Sequence, residues 1–211
     1  MTLFFCFCVI NNVATKIIRP SGYRLNNTVS DDMIARAQSG SPADAGGLYL
    51  RYYLSIYRYL YYRTGDVQTA EDLTSEVFLK MVRALPSYRS GAVPFQAWLF
   101  QIARNMAIDH YRRNQHYSLV ELDDNMNGED PDLDHLIDLN LTSADLVEGL
   151  KKIEETQRDV LLLRFIEGMA IKETAAVLHK SIDSVKALQY RGLLALKKML
   201  NHLEMDHDAT Q

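Results

Sequence analysis

The residues best placed to do chemistry lie near the C-terminus, in DSVKALQYRGLLALKKML, residues 183–200. At helical spacing Val185, Leu188, Gly192 and Leu196 share one line, the one to bury. Lys186, Ala187, Tyr190 and Arg191 then share the opposite face, three and four residues apart. Two cations can meet phosphates or base edges, a small residue allows close approach, and a Tyr supplies apolar contact. That set suits a helix laid in a major groove. A plain helical hairpin with a solvated basic face has the same spacing. A second cationic cluster closes PFQAWLFQIARNMAIDHYRRNQH, residues 94–116: Arg104, Asn105, His110, Arg112, Arg113 and His116, with Asp109 the one acid there.

Covalent chemistry finds no such cluster. His110, His116, His135 and His179 are scattered without metal-ligand spacing, and no phosphate loop or nucleophile motif occurs. The two Cys, at positions 6 and 8, are too few for a disulfide framework or a zinc site. They read as reduced thiols of a cytoplasmic protein. No catalytic residue, metal or cofactor is expected.

The formal charge of −4 conceals a strong asymmetry. Residues 151–200 carry ten Lys/Arg against six Asp/Glu, whereas Glu121 to Glu148 contains ten Asp/Glu and no Lys or Arg. With its Asn-Gly and Asp-Pro steps, the acidic run reads as a linker between two basic halves.

Helices must position these residues. Nothing alternates with period two, so an all-α chain is expected. A first helix starts at Ser30 or Asp31 and breaks at Gly40-Ser41-Pro42. Residues 47–66 hold seven Tyr, and Leu50, Tyr53, Leu54, Tyr57 and Leu60/Tyr61 form their expected core stripe. The Tyr set reads either as packed rings with wet hydroxyls or as a docking surface. Residues 66–85 start at an Asp66 cap and bury Val67, Ala70, Leu73, Val77, Phe78, Met81, Val82 and Leu85. Asp72, Glu76, Leu79 and Arg83 lie off that stripe, and Pro86 stops the helix. Pro94 opens the next helix, whose apolar set is Phe95, Trp98, Leu99, Ile102, Met106 and Ile108. Thr156 with Asp159 suggests a capping box ahead of a core made by Val160, Leu161, Leu162, Leu163 and Ile166. IKETAAVL, with Ala175 and Leu178 inward, then HKSI and the basic helix, complete a helix-turn-helix over residues 168–200.

Residues 1–30 open with MTLFFCFCVI, too short an apolar run to cross a bilayer and without the flanks of a secretion signal. They are expected to be a poorly ordered extension or a mis-assigned start, and no membrane insertion is expected.

Three segments in this order resemble a bacterial RNA polymerase sigma factor of the extracytoplasmic-function group, over roughly residues 31–203. TGDVQTAEDLTSEVFLKMVRAL is similar to the region 2 helix that binds polymerase, FQAWLFQIARNMAIDHYRRN to the part that opens and reads the minus-ten element, and QRDVLLLRFIEGMAIKETAAVLHKSIDSVKALQYRGLLALKK to region 4, which reads the minus-thirty-five element. The resemblance implies two small helical domains joined by an acidic flexible linker: an extension over 1–30, region 2 over 31–116, the linker over 117–143, region 4 over 144–203 and a tail over 204–211. It implies polymerase contacts at Asp72, Leu73, Glu76, Val77, Phe78 and Leu79, although Phe78 is equally a core candidate. It implies minus-ten contacts at Arg104, Asn105, Asp109, Arg112 and Arg113, a base-specificity loop near Tyr88–Phe95, and minus-thirty-five contacts at Lys186, Ala187, Tyr190 and Arg191. Trp98 falls in the same segment but on the apolar stripe. Core RNA polymerase, promoter DNA and an anti-sigma factor are the implied partners. In the family the linker lies in the channel through which RNA leaves, so an acidic linker can act as an RNA mimic; a solvated spacer is the plainer reading. Two positions depart from the family pattern: Ala170 stands where a Ser often caps the helix-turn-helix, and His179 where the turn often has Gly or Asp. The competing function is a stand-alone helix-turn-helix regulator, which would bind DNA tightly by itself, usually as a dimer.

Overall fold

The computed structural model describes residues 30–91, 93–114 and 143–208, and these are helical with no strand among them. Residues 1–29 of the expected N-terminal extension and residues 115–142 of the expected acidic linker lie outside the described residues, but the end of the acidic run, from Ser143 to Glu148, is helical rather than linker.

The first four helices form one unit. Ser30 caps α1 (Asp31–Gln38), its hydroxyl accepting from the Met33 amide at 3.3 Å. α2 (Pro42–Thr64) begins at Pro42, earlier than the sequence suggested, with Ser41 as cap and Pro42 in the first turn, where a missing amide costs nothing. It runs through Gly46 and Gly47. A Cβ on Gly47 would come within 2.7 Å of the end of the Met33 side chain of α1, which would have to shift to admit it. Gly65 ends α2 in the left-handed region at φ 70°.

The buried face of α2 is not the expected one. Leu48, Tyr52, Ile56, Tyr59, Leu60 and Tyr62 are in the core, while Leu50 is 78% exposed and Leu54 is also exposed. The helix is apolar or aromatic almost all round, so its period does not pick a face. Contacts with α1, α3, α4 and the C-terminal unit pick it instead. Tyr53, Tyr57 and Tyr61 make a half-buried ladder of near-parallel rings, 6.4 and 6.2 Å apart.

Asp66 caps α3 (Val67–Ala84), accepting from the Thr69 amide at 2.7 Å, and these hydrogen bonds hold its carboxyl below the usual range. Ala70, Leu73, Val77, Phe78, Met81 and Leu85 are buried as expected, but Val67 and Val82 are exposed. A short 3-10 turn, Leu85–Ser87, contains Pro86. The loop beyond it is closed by Tyr88, whose hydroxyl donates to the Val93 carbonyl at 2.8 Å and whose ring packs on Phe95 and Trp98. α4 (Phe95–Asn114) follows Pro94 and buries Phe95, Leu99, Phe100 and Met106, with Trp98 and Ile102 packed at the edge.

The second unit is α5 (Ser143–Lys151), α6 (Glu155–Leu161) continuing into a π turn over Leu162–Ile166, α7 (Ile171–Leu178) and α8 (Ile182–Asp208). α8 runs past Leu203 into the residues expected to be a tail. Glu154, not Thr156, caps α6, accepting from the Thr156 and Gln157 amides at 2.8 Å each. Asp159 is therefore no part of a capping box. It is buried and faces the first unit.

α7 has half a capping box. The Glu173 carboxylate accepts from the Ala170 amide at 2.7 Å, but Ala170 offers no acceptor in return. Ala170→Ser is expected to stabilise the chain by about 1 kcal/mol, read as a rise in the denaturant midpoint at unchanged slope. His179 ends α7 at φ 52°, the one non-glycine residue with positive φ among the described residues. A left-handed non-glycine residue costs roughly 1–2 kcal/mol. His179→Gly is expected to recover about 0.5–1 kcal/mol of it, the rest being offset by glycine's greater freedom when unfolded; thermal melting checks this.

Candidate nucleic-acid interface

α8 is built to present one face. Ser181 starts it, accepting from the Ser184 amide at 3.1 Å. Val185, Gln189, Leu193 and Leu196 are buried, with Leu188 partly so. Gly192 lies against α6, where a Cβ would meet Gln157 at 3.2 Å and Leu161 at 3.3 Å. Arg164, from the π turn, braces the helix from behind: its Nε donates to the Gln189 side-chain oxygen Oε1 at 3.2 Å, and its Nη1 donates to the Met169 carbonyl. Burial pulls this guanidinium below its usual value, with Glu173 opposing.

Held this way, Lys186, Ala187, Tyr190 and Arg191 all face solvent on the N-terminal half of α8. Lys186 reaches Asp183 at 3.0 Å, an exposed pair of little strength. The face inferred from spacing is thus the exposed one.

The first unit presents two further surfaces. Asn105, Asp109, Arg112 and Arg113 are exposed towards the end of α4, where Arg113 Nε donates to the Asp109 carbonyl at 3.2 Å. Glu76 and Lys80 of α3 join Met106, Asp109, Arg112 and Arg113 in lining an open cleft. On α3, Asp72, Glu76 and Leu79 share an exposed face, and Leu79 is 59% exposed. Leu73, Val77 and Phe78 are in the core, so as surface contacts these three expectations are corrected: each side chain is already spent on packing against the bundle.

Arg104 does not stand with its neighbours. Its Nε donates to Asp159 Oδ2 at 2.8 Å. Asp159 also accepts from the Tyr59 hydroxyl at 2.9 Å and from Arg63, and Arg63 further pairs with Glu155. Arg63 and Asp159 are both fully buried. Burial alone would pull the Arg63 guanidinium down, but Asp159, Tyr59 and Glu155 together raise it above its usual value. Burial, reinforced by Asp159, pushes the Tyr59 hydroxyl well up. Nothing in the sequence alone marks Tyr59, Arg63 and Asp159 as a group. No local signal joins residues about a hundred positions apart, and the Thr156–Asp159 spacing offered a plausible local role instead.

Comparison with known proteins bears on both units. The family model for Sigma-70 region 2 matches residues 48–117, and that for Sigma-70, region 4 matches residues 143–196. The ECF RNA polymerase sigma factor BldN of Streptomyces coelicolor is 36% identical over 173 residues, which is 80% of this chain and 65% of BldN. The ECF RNA polymerase sigma factor SigX of Bacillus subtilis is 34% identical over 75% of this chain and 82% of SigX. Among solved structures, CnrH in complex with the cytosolic domain of CnrY superposes with a TM-score of 0.63 at 24% identity, over 81% of this chain and 96% of CnrH, a likeness of fold. With both family regions in order around these helices, the chain belongs to the extracytoplasmic-function RNA polymerase sigma factors.

Proposed function

We propose that this chain binds core RNA polymerase and directs it to promoters, with residues 31–116 acting as region 2 and residues 144–203 as region 4. The observation that carries the reading is the α8 face of Lys186, Ala187, Tyr190 and Arg191, solvent-facing at the start of the second helix of a helix-turn-helix. These residues read the minus-thirty-five element. Arg104, Asn105, Asp109, Arg112 and Arg113 meet the minus-ten element, and Asp72, Glu76 and Leu79 form the polymerase-facing patch. The loop closed by Tyr88 is where an unstacked base would be held.

No covalent step is required of the protein. Strand opening is driven by binding energy, as unstacked bases of the minus-ten element are captured by stacking and edge hydrogen bonds. A partner of core polymerase works in the cytoplasm. No helix among the described residues is long and apolar enough to cross a membrane. CnrH is held by the cytosolic domain of a second protein; an anti-sigma factor is the corresponding partner for this chain.

Abortive transcription with core polymerase on a pool of candidate promoters tests the reading. Initiation at defined sites only when the chain is added is the expected result. Specific duplex binding by the free chain, without core binding or initiation, would replace it with the stand-alone regulator.

A further inference from the structure

The solvent-facing side of α8 carries a carboxylate among its cations. Asp183 lies in the first turn, four residues before Ala187 and seven before Tyr190, so the three share one line along the helix. Val185 and Gln189 are buried, which turns that line outward. Lys186 Nζ donates to Asp183 Oδ1 at 3.0 Å. The Asp183 side chain is 90% exposed and that of Lys186 62%, so each keeps bonding capacity towards solvent. Local helix chemistry accounts for part of this. An acid suits the first turn of a helix, and ion pairs three residues apart are common. It does not account for an anion at the centre of a face that meets a polyanion. A carboxylate there costs affinity for every sequence except one that offers it a hydrogen-bond donor.

We propose that Asp183 and Lys186 act as one unit that reads a C·G base pair in the minus-thirty-five element, Asp183 taking the cytosine and Lys186 the guanine. This deepens the sigma-factor reading and rests on it. Base edges in the major groove offer two amino donors, cytosine N4 and adenine N6. The guanine paired with the cytosine turns two acceptors, O6 and N7, to the same groove. N4 and O6 are hydrogen-bonded to each other within the pair, so they stand about 2.9–3.0 Å apart. The Asp183 oxygen and the Lys186 nitrogen also stand 3.0 Å apart. The ion pair therefore has the spacing of the base-pair edge, acceptor against donor and donor against acceptor. An exposed pair of this kind is weak, so turning it onto the bases sacrifices little.

The other three base pairs fit worse. G·C sets O6 against the carboxylate and N4 against the ammonium, and T·A does the same with O4 and N6. A·T is the near competitor, since N6 donates and O4 accepts in the right order. It differs in where N7 falls. In A·T the N7 lone pair sits on the Asp183 side and repels the carboxylate. In C·G it sits on the Lys186 side, where it is a second acceptor for the ammonium.

The test is a duplex library randomised across the minus-thirty-five element. It is selected twice, once for initiation with core polymerase and once for retention by the free chain. The unmodified chain is expected to fix one position as C·G, by about 10-fold over A·T. Asp183→Asn is expected to turn that position to A·T, because a side-chain amide pairs with adenine N6 and N7 together. Asp183→Ala is expected to leave the position nearly unread, with all others unchanged. Both variants lose a group that a polyanion repels, and should hold scrambled duplex several-fold more tightly at low salt. Their melting temperatures should move by no more than a few degrees, since one first-turn acid contributes little. If Asp183 only supports the helix end, all three chains give the same base profile, and the proposal is overturned. The absence of a position fixed as C·G in either pool overturns it too. If no library member initiates with core, the sigma-factor reading falls, and the profile retained by the free chain still decides what the pair reads.

Discussion

Replacing Lys186 and Arg191 together with Ala is expected to lower promoter-complex formation by about 100-fold while leaving the fold intact. Both side chains are exposed on α8, and neither packs into the core, so thermal melting should be unchanged. Each lost contact to a base edge is worth about 1–3 kcal/mol, and each lost phosphate contact flattens the dependence of log affinity on log salt by about 0.9. The two classes are separable by experiment. Initiation is measured with core polymerase on an intact promoter and on one whose minus-thirty-five element is scrambled, at two salt concentrations. The unmodified chain should discriminate between these promoters strongly. The double variant should treat them nearly alike, with a shallower salt dependence. Undiminished discrimination would remove this face of α8 from the promoter interface. Ala187 supplies the complementary test. Ala187→Glu places a bulky anion where the helix must approach a polyanion, and should match or exceed the loss from the double variant.

The legibility of the sequence followed how many faces each helix buries. α8 buries one face and exposes another, so its 3.6-residue period identified Lys186, Ala187, Tyr190 and Arg191 as the solvent-facing set. α3 is similar: Ala70, Leu73, Val77, Phe78 and Met81 are buried, while Val67 and Val82, at its margins, are not. α2 packs against neighbours on several sides and is apolar or aromatic around most of its circumference. A period has nothing to report there, and the expected stripe through Leu50 and Leu54 came out on the exposed side. Caps were read well where the cap is a local matter, as at Ser30 and Asp66. At Asp159 a local pattern was overridden by partners in the other unit, which Glu154 makes possible by taking over the cap. Charge pairing across about a hundred residues leaves no trace in one sequence. Family position has the converse weakness. It marks the segment that faces a partner but not which side chains of that segment are outward, which is how Leu73, Val77 and Phe78 entered the polymerase-facing set.

That distinction yields the other large effect. Leu79→Asp is expected to abolish most core-polymerase binding, by about 100-fold in affinity, without changing the melting temperature by more than about 1 °C. Leu79 is a large apolar side chain left 59% exposed between the exposed acids Asp72 and Glu76 on one side and Arg83 on the other. An apolar anchor rimmed by charge is the usual composition of an interface centre, where truncation alone costs about 2 kcal/mol or more. A carboxylate there must in addition be desolvated against the partner, bringing the total to about 3 kcal/mol, or roughly two decades of affinity. The neighbouring substitution Phe78→Asp should do the opposite. Phe78 is 5% exposed, with its ring edge-on to Tyr49 at 4.7 Å, so a charge there strikes the core of the first unit. Its loss of polymerase binding should come with loss of the cooperative melt, while Leu79→Asp should keep the melt intact. Binding is measured by titrating labelled chain with core polymerase, and folding by circular dichroism on the same samples. If Leu79→Asp binds core as the unmodified chain does, this face of α3 is not the docking surface, and the Tyr49, Leu50 and Leu54 patch on α2 becomes the surface to test next.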